Sequence, residues 1–567
     1  MNVKKTPRNY PEIHSFKDLI RVFEGRGEKV AFRYPVGKRF DSLSYAAFAK
    51  EINAIAAGLT AMGLAGERIA VIGATSHQWV ASYFATIAAG ATIVPMDKEL
   101  DIKEIEGFLA GVNAKAIFYA GAFHDKLAQA MESHPSLSVF IPFESTESEE
   151  EQNDKVVPLP ALIEQGEQAI ADGYALPDRD PRDLAVMLFT SGTTGTSKCV
   201  MLCEGNIVAA ANAACASVNF NENDRTLSVL PLHHTYEMTI MVASLIYGVQ
   251  VGINDSLGTL MRNISVIRPT ALILVPLIVN TIYKRIWDSA KKKGKDTLLR
   301  RMIPVSNAMK KVGLDLRRKL FKSVLDAFGG ELEKIICGGA PLNPEMVKNF
   351  YAFGIQICEG YGITECSPLI SVSPYFKQKR GSVGPAVPCC EARIADGEMG
   401  DKGYPEGEIQ VKGENVMLGY YNNDEANAGA FTEDGWYRTG DVGYMDEDGY
   451  IYITGRMKSV IVLENGKNVF PEEVEEYLES IEEIAECVVV GRKGEDGETV
   501  NLIAVVYPNR EMFPEGTADE EIYKVIHAKI MELNKKISSF KKIKALELRA
   551  EEFEKTTSRK IKRHLVH

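Results

Sequence analysis

The stretch Leu188-Phe189-Thr190-Ser191-Gly192-Thr193-Thr194-Gly195-Thr196-Ser197-Lys198 gathers glycines, small hydroxyl side chains and a lysine behind an apolar run, Ala185 to Phe189, that reads as a buried strand. A loop of this kind turns several backbone N–H groups and hydroxyls toward one point, a geometry suited to a polyphosphate. It is not a Walker A loop. That pattern needs Gly-x-x-x-x-Gly-Lys-Ser/Thr, whereas Gly192 and Gly195 stand closer together and Thr196 and Ser197 precede Lys198. Taken alone, the stretch also reads as a Ser/Thr/Gly surface linker.

The elements that must hold such a loop are visible as alternation. Arg68 to Ile72, Thr92 to Pro95, Ala271 to Val275, Lys334 to Cys337 and Ile355 to Cys358 read as strands. Gln78 to Ala89 reads as a helix, and Pro276 and Pro344 open two more. This alternation implies parallel sheets with helices on their faces. Glycine-bearing loops then fall at strand ends, where open α/β sheets place ligands. No repeat of 20–50 residues is visible, and Glu147 to Asp154 reads as an acidic, solvated loop.

After Gly455 the texture changes. A strand (Ser459 to Leu463), a turn at Asn465-Gly466, a helix begun by Pro471, strands around Val488 and Ile503, a helix from Glu520 to Lys536 and a strand near Leu546 make a small α+β unit. The expected fold is therefore α/β. A large N-terminal domain of parallel or mixed sheets flanked by helices (1–457) precedes a small α+β C-terminal domain (458–567).

At 567 residues the chain is too long for one core. Its 45% hydrophobic and 25% charged content is that of an ordinary soluble globular protein. A formal charge of −12 argues against nucleic acid as the main partner. Met1 to Asp18 is too polar for a secretory signal, and the most apolar windows, such as Ala81 to Val94, are too short or too polar to span a bilayer. The nine cysteines are odd in number and form no CxxC pair, so reduced thiols in the cytoplasm are expected rather than a zinc site or a disulfide scaffold. Cys366 has no histidine in a recognisable pattern beside it and is not read as a nucleophile.

Further motifs follow in a fixed order: Leu230-Pro231-Leu232-His233-His234, Gly338-Gly339-Ala340-Pro341, Glu359-Gly360-Tyr361-Gly362-Ile363-Thr364-Glu365, Tyr437-Arg438-Thr439-Gly440-Asp441, Gly455-Arg456-Met457-Lys458 and Lys555-Thr556-Thr557-Ser558-Arg559-Lys560-Ile561-Lys562-Arg563. Together with the hydroxyl-rich loop, and over essentially the whole chain, this set resembles the adenylate-forming superfamily. That superfamily holds acyl-CoA synthetases, peptide-synthetase adenylation domains and luciferases. The resemblance implies ATP, Mg²⁺ and, for the acyl-CoA synthetase branch, CoA as co-substrate.

On that resemblance Thr190, Ser191, Gly192, Thr193, Thr194, Gly195 and Lys198 hold the leaving pyrophosphate, Glu365 binds Mg²⁺ and Thr364 contacts the α-phosphate. Tyr361 stacks on adenine within Glu359, Gly360 and Gly362, and Gly339, Ala340 and Pro341 cover the other face of the base. Asp441 takes the ribose hydroxyls with help from Arg456. Lys560 bridges the attacking carboxylate and the α-phosphate, although Glu554 and Arg559 stand where the usual motif has proline and glycine. Lys458 is the hinge.

His234 would border the acyl and pantetheine channels, and Thr235, in place of aspartate, disfavours a free amino acid as substrate, with Glu237 as a counter-indication. The basic segment from Lys284 to Lys322 resembles an insertion of the long-chain fatty acyl-CoA synthetases. It reads as a solvated helix surface, or as one that meets anionic lipid at the inner face of a membrane or an acyl-carrier protein. The expectation is an AMP-forming activation of a long-chain fatty acid followed by transfer to CoA. Transfer to an acyl-carrier protein, and a non-catalytic acyl- or nucleotide-binding protein of the same fold, are the alternatives.

Overall fold

The computed structural model describes residues 10–133, 136–144, 154–190, 197–400, 402–463, 468–493, 500–555 and 561–566. Ser191, Gly192, Thr193, Thr194 and Gly195 of the phosphate loop, nearly all of the Glu147 to Asp154 stretch, the Asn465-Gly466 turn and Lys560 lie outside the described residues.

Three sheets build the large N-terminal part around the expected strands. The first has seven strands in the order Gly419–Tyr420, Lys198–Cys203, Leu184–Thr190, Thr92–Pro95, Arg68–Ile72, Ala116–Tyr119, Val139–Pro142. Its five strands from Leu184–Thr190 to Val139–Pro142 run parallel. Thr92–Pro95 and Ala116–Tyr119 are buried at every position, as a sheet covered on both faces requires.

The second and third sheets have four strands each. One pairs Arg39–Ser44, Val30–Val36, Gln250–Ile253 and Arg225–Ser228. The other pairs Ala271–Leu274, Lys334–Gly338, Gln356–Gly362 and Leu369–Val372. Pro276 and Pro344 each open a helix at its first turn, where the missing N–H costs nothing.

A fourth sheet departs from the alternating pattern. Its five strands, Gly384–Pro385, Tyr450–Arg456, Tyr437–Met445, Pro405–Gly413 and Cys390–Met399, are all antiparallel. Tight turns make this connectivity local. Between Met445 and Tyr450 the Asp446 carboxylate accepts the N–H groups of Asp448 and Tyr450, each at 3.0 Å.

After Arg456 a 3₁₀ turn (Met457–Ser459) leads into the C-terminal unit. The strand expected from Ser459 to Leu463 shrinks to Ile461–Val462, because among the described residues only these two find partners, in Asn468–Val469. Ile484–Lys493, Val500–Pro508 and Ala545–Leu548 form a three-stranded sheet covered by helices Pro471–Glu479 and Asp519–Asn534. Val474, Leu478, Val489, Ala504, Ile526 and Ile530 give this unit an apolar cluster of its own.

In the basic segment, helix Pro276–Lys292 buries Val279, Ile282 and Ile286, and helix Asp296–Lys311 buries Leu299, Ile303 and Ser306. Lys291, Lys292, Lys293, Lys295, Arg300, Arg301 and Lys311 stay exposed. Arg317 and Arg318 do not belong to that open surface. Arg317 grips Asp315 and the Tyr351 carbonyl, and Arg318 binds the carbonyls of Leu332 and Gly330. No helix among the described residues is long and apolar enough to cross a membrane.

Candidate active site

Every described member of the expected site lines one continuous cleft of about 3920 Å³. Thr190, Lys198, His234, Gly339, Ala340, Pro341, Glu359, Gly360, Tyr361, Gly362, Thr364, Glu365, Asp441, Arg456 and Lys458 all face it. Lys555, Ile561 and Lys562, which flank Lys560, face the same cleft from the C-terminal unit. Lys555 and Ile561 themselves bridge antiparallel. Lys555 pairs with Glu486 and Glu552, and Arg563 with Glu475.

On the phosphate side, Leu184–Thr190 and Lys198–Cys203 pair antiparallel, with Thr190 opposite Lys198, so both ends of the loop are pinned. The Thr190 hydroxyl donates to the Lys198 carbonyl at 3.3 Å. Lys198 Nζ lies 4.6 Å from the centre of the Tyr420 ring. The Tyr420 hydroxyl donates to Glu365 Oε1 at 2.9 Å and meets the Tyr437 hydroxyl at 3.2 Å. Burial first, and the Glu365 charge second, push both phenols above their ordinary range, so they remain protonated donors. Sequence reasoning placed Lys198 and Glu365 here but missed Tyr420, which joins them. Its signal was position: Gly419-Tyr420 is the edge strand beside Lys198–Cys203.

Glu365 sits on a 3₁₀ turn, Thr364–Cys366, after strand Gln356–Gly362. Asn415 holds this turn by donating to the carbonyls of Cys366 and Leu369 at 3.2 and 2.7 Å. Gly362 is required by close approach: a Cβ there would stand 1.9 Å from the Pro368 carbonyl oxygen. Cys366 is fully buried, which removes it from nucleophilic chemistry. Among the described residues no cluster of three or more His, Cys, Asp or Glu could hold a metal by itself. A lone carboxylate fixed by one phenol fits Mg²⁺ held jointly with phosphates, the usual manner for that ion.

On the nucleoside side, Asp441 is 4% exposed. Its Oδ2 accepts the Tyr361 hydroxyl at 2.7 Å, and Arg456 Nε lies 2.9 Å from Oδ1. Asp441 and Arg456 are register neighbours on adjacent antiparallel strands. The Thr439 hydroxyl takes the Asp441 N–H at 3.0 Å. Gly339 has φ 102°, so the turn carrying Ala340 and Pro341 needs glycine. Glu359 meets the C-terminal unit: burial, then the charge of Glu476, pushes its carboxyl up to about 7.

The third wall carries the two histidines. His234 directly precedes helix Thr235–Tyr247, and its ring centre lies 4.1 Å from that of His233. Asp97, just beyond strand Thr92–Pro95, approaches His233 to 3.5 Å. Glu237 is buried and accepts the Ser228 hydroxyl at 2.5 Å. Burial pushes its carboxyl up to about 8, against the opposing effect of that hydroxyl and the Leu230 N–H. Its ionised form is thus disfavoured in the unliganded cleft, which weakens the counter-indication that Glu237 raised.

Known proteins resemble this chain in sequence and fold. The description "AMP-binding enzyme" matches residues 20–421, and "AMP-binding enzyme C-terminal domain" matches residues 458–567. A protein named "Long-chain-fatty-acid--CoA ligase FadD15" from Mycobacterium bovis is 32% identical over 460 residues, 78% of this chain and 74% of that protein. "Long-chain-fatty-acid--CoA ligase 1" from Homo sapiens is 27% identical, covering 96% of this chain and 84% of its own length. ATP-bound MatB from Rhodopseudomonas palustris superposes with a TM-score of 0.75 at 24% identity, over 97% of this chain and 98% of that one, a likeness of fold. The chain belongs to the AMP-binding enzymes, with long-chain fatty acid–CoA ligases among its relatives.

Proposed function

We propose that this protein activates a long-chain fatty acid with ATP to give acyl-AMP and pyrophosphate, then transfers the acyl group to CoA. The observation that carries the reading is the single cleft onto which the phosphate strands, Glu365, the Asp441 cluster, the histidine wall and the residues flanking Lys560 all open.

Attack of a carboxylate oxygen on the α-phosphate brings two anions together, so catalysis is mostly positioning and charge neutralisation. Lys198 and the loop from Ser191 to Gly195 take the charge of the departing pyrophosphate. Glu365, oriented by Tyr420, contributes the protein ligand to Mg²⁺, which when bound neutralises phosphate charge. Tyr361 offers a ring face to the adenine and its hydroxyl to Asp441, which leaves the carboxylate's remaining lone pairs for the ribose hydroxyls. Lys560 joins the attacking carboxylate to the α-phosphate. It must then withdraw for the thiol to approach, which requires the C-terminal unit to turn about Lys458. A division between 1–457 and 458–567 is supported by the separate apolar cluster beyond Lys458 and by that residue's exposed place on a 3₁₀ turn.

The protein works in the cytoplasm, in peripheral contact with an anionic membrane face. The exposed cations of the basic segment support that contact, as do Leu298, Val305 and Val312, which lie seven residues apart and exposed along one helix face and its end. Exchange of labelled pyrophosphate into ATP over acids from acetate to oleate tests the first half-reaction. Mass measurement of the product on CoA and on an acyl-carrier protein tests the second. Absence of exchange with every acid would refute the reading.

A further inference from the structure

We propose that His233, paired with Asp97, is the general base that takes the proton from the attacking thiol. This inference rests on the thioester-forming reading above. Asp97 follows strand Thr92–Pro95 and His233 lies in the turn before helix Thr235–Tyr247, and both face the cleft beside His234.

His233 Nε2 is buried, and at 3.5 Å from Asp97 Oδ2 it makes no hydrogen bond there. A carboxylate so placed still stabilises the imidazolium that forms on proton uptake. Nδ1, the other ring nitrogen, accepts no hydrogen bond among the described residues and is not sealed off as Nε2 is, which leaves it to receive a proton. The charged groups facing the ring are Asp97 and Glu99, which favour its protonated form, and Lys98, which opposes it. Burial outweighs them and holds the imidazole below its ordinary range, so it is neutral and able to accept near pH 7.

A base is needed because a thiol of pKa about 8.5 is only about 3% thiolate at pH 7. The imidazole takes the S–H proton, and the thiolate sulfur forms a C–S bond to the carbonyl carbon of acyl-AMP. The C–O bond to phosphate then breaks, and its electron pair leaves with AMP. The imidazolium returns its proton to water, so no oxidant, reductant or further co-reactant enters.

The test follows single turnovers of purified palmitoyl-AMP with CoA from pH 4.5 to 9.5, with pyrophosphate exchange measured on the same preparations. At pH 7 the His233→Gln protein is expected to lose about 10- to 30-fold more in the thioester step than in exchange, the gain a full thiolate offers over a few per cent. The deficit should close above pH 9, where the thiol ionises unaided. Asp97→Asn should move the acid limb of the profile to lower pH, because the imidazolium loses its carboxylate.

A deficit equal at pH 6.5 and 9.5 would mean that His233 only positions its neighbours, and would overturn the assignment. So would variants that match the wild type, or an acid limb that Asp97→Asn leaves in place. A wild type that forms no thioester refutes instead the reading on which this inference rests.

Discussion

Replacing Tyr420 with phenylalanine isolates one atom of the phosphate side. The ring stays, and with it the surface 4.6 Å from Lys198 Nζ; the hydroxyl that donates to Glu365 at 2.9 Å is lost. A hydrogen bond to a charged group is worth about 1.5–3 kcal/mol net. At about 1.4 kcal/mol per tenfold that is a factor of roughly 10 to 150 in any step that depends on the carboxylate's position. Glu365 is only partly buried, so water can replace the lost donor, and the low end applies.

The expected result is a fall of about tenfold in the pyrophosphate-exchange rate at limiting ATP, with a higher Mg²⁺ requirement. Tyr437→Phe removes the neighbour of Tyr420 but no donor to Glu365, and should cost less, about two- to fivefold, the weight of roughly 0.5–1 kcal/mol for one neutral hydrogen bond. Tyr420→Ala also strips the surface under Lys198, and should lose a further two- to fivefold for a cation–π contact of about 0.5–1 kcal/mol. Exchange by Tyr420→Phe within twofold of wild type, at both low and high Mg²⁺, would show that the phenol does not position Glu365.

Lys560→Ala should cut exchange by orders of magnitude while thioester formation from supplied acyl-AMP falls far less; equal losses would sink its assignment to adenylation. Lys458→Pro fixes φ near −65° and should slow the thioester step while sparing exchange, and wild-type rates in both would remove Lys458 as the hinge. Glu359, raised to about 7, destabilises the fold only when ionised: its contribution is intact below the ordinary carboxylate range and is lost as pH rises toward 7. Glu359→Gln should accordingly unfold at a higher temperature than wild type at pH 8 and at the same temperature at pH 4, and calorimetry at the two pH values decides it. Changing Lys291, Lys292, Lys293 and Lys295 to Gln should weaken sedimentation with anionic vesicles at low salt, and failure of the wild-type protein to sediment there refutes the membrane contact.

The motifs of this candidate site were legible in the sequence because each is a run of adjacent residues, and together their order resembles a known superfamily. The Glu359-to-Glu365 segment runs from a strand into a 3₁₀ turn, and the Tyr437-to-Asp441 motif lies within one strand. Pro276 and Pro344 announced their helices, since proline suits a first helical turn and little else within a helix. The antiparallel sheet from Gly384 to Arg456 was not legible, because pairing direction is set by how strands meet rather than by their composition.

Relations between distant residues belonged to the tertiary structure alone. Tyr420 reaches Glu365 across 55 positions and Tyr361 reaches Asp441 across 80, and neither partner marks the other in the chain. Burial acts in the same way. Glu237 reads as a charge in the sequence, whereas burial in the fold disfavours its ionised form and pushes its carboxyl up to about 8. Sequence determined which groups were present, and packing decided which of them meet and in what protonation state.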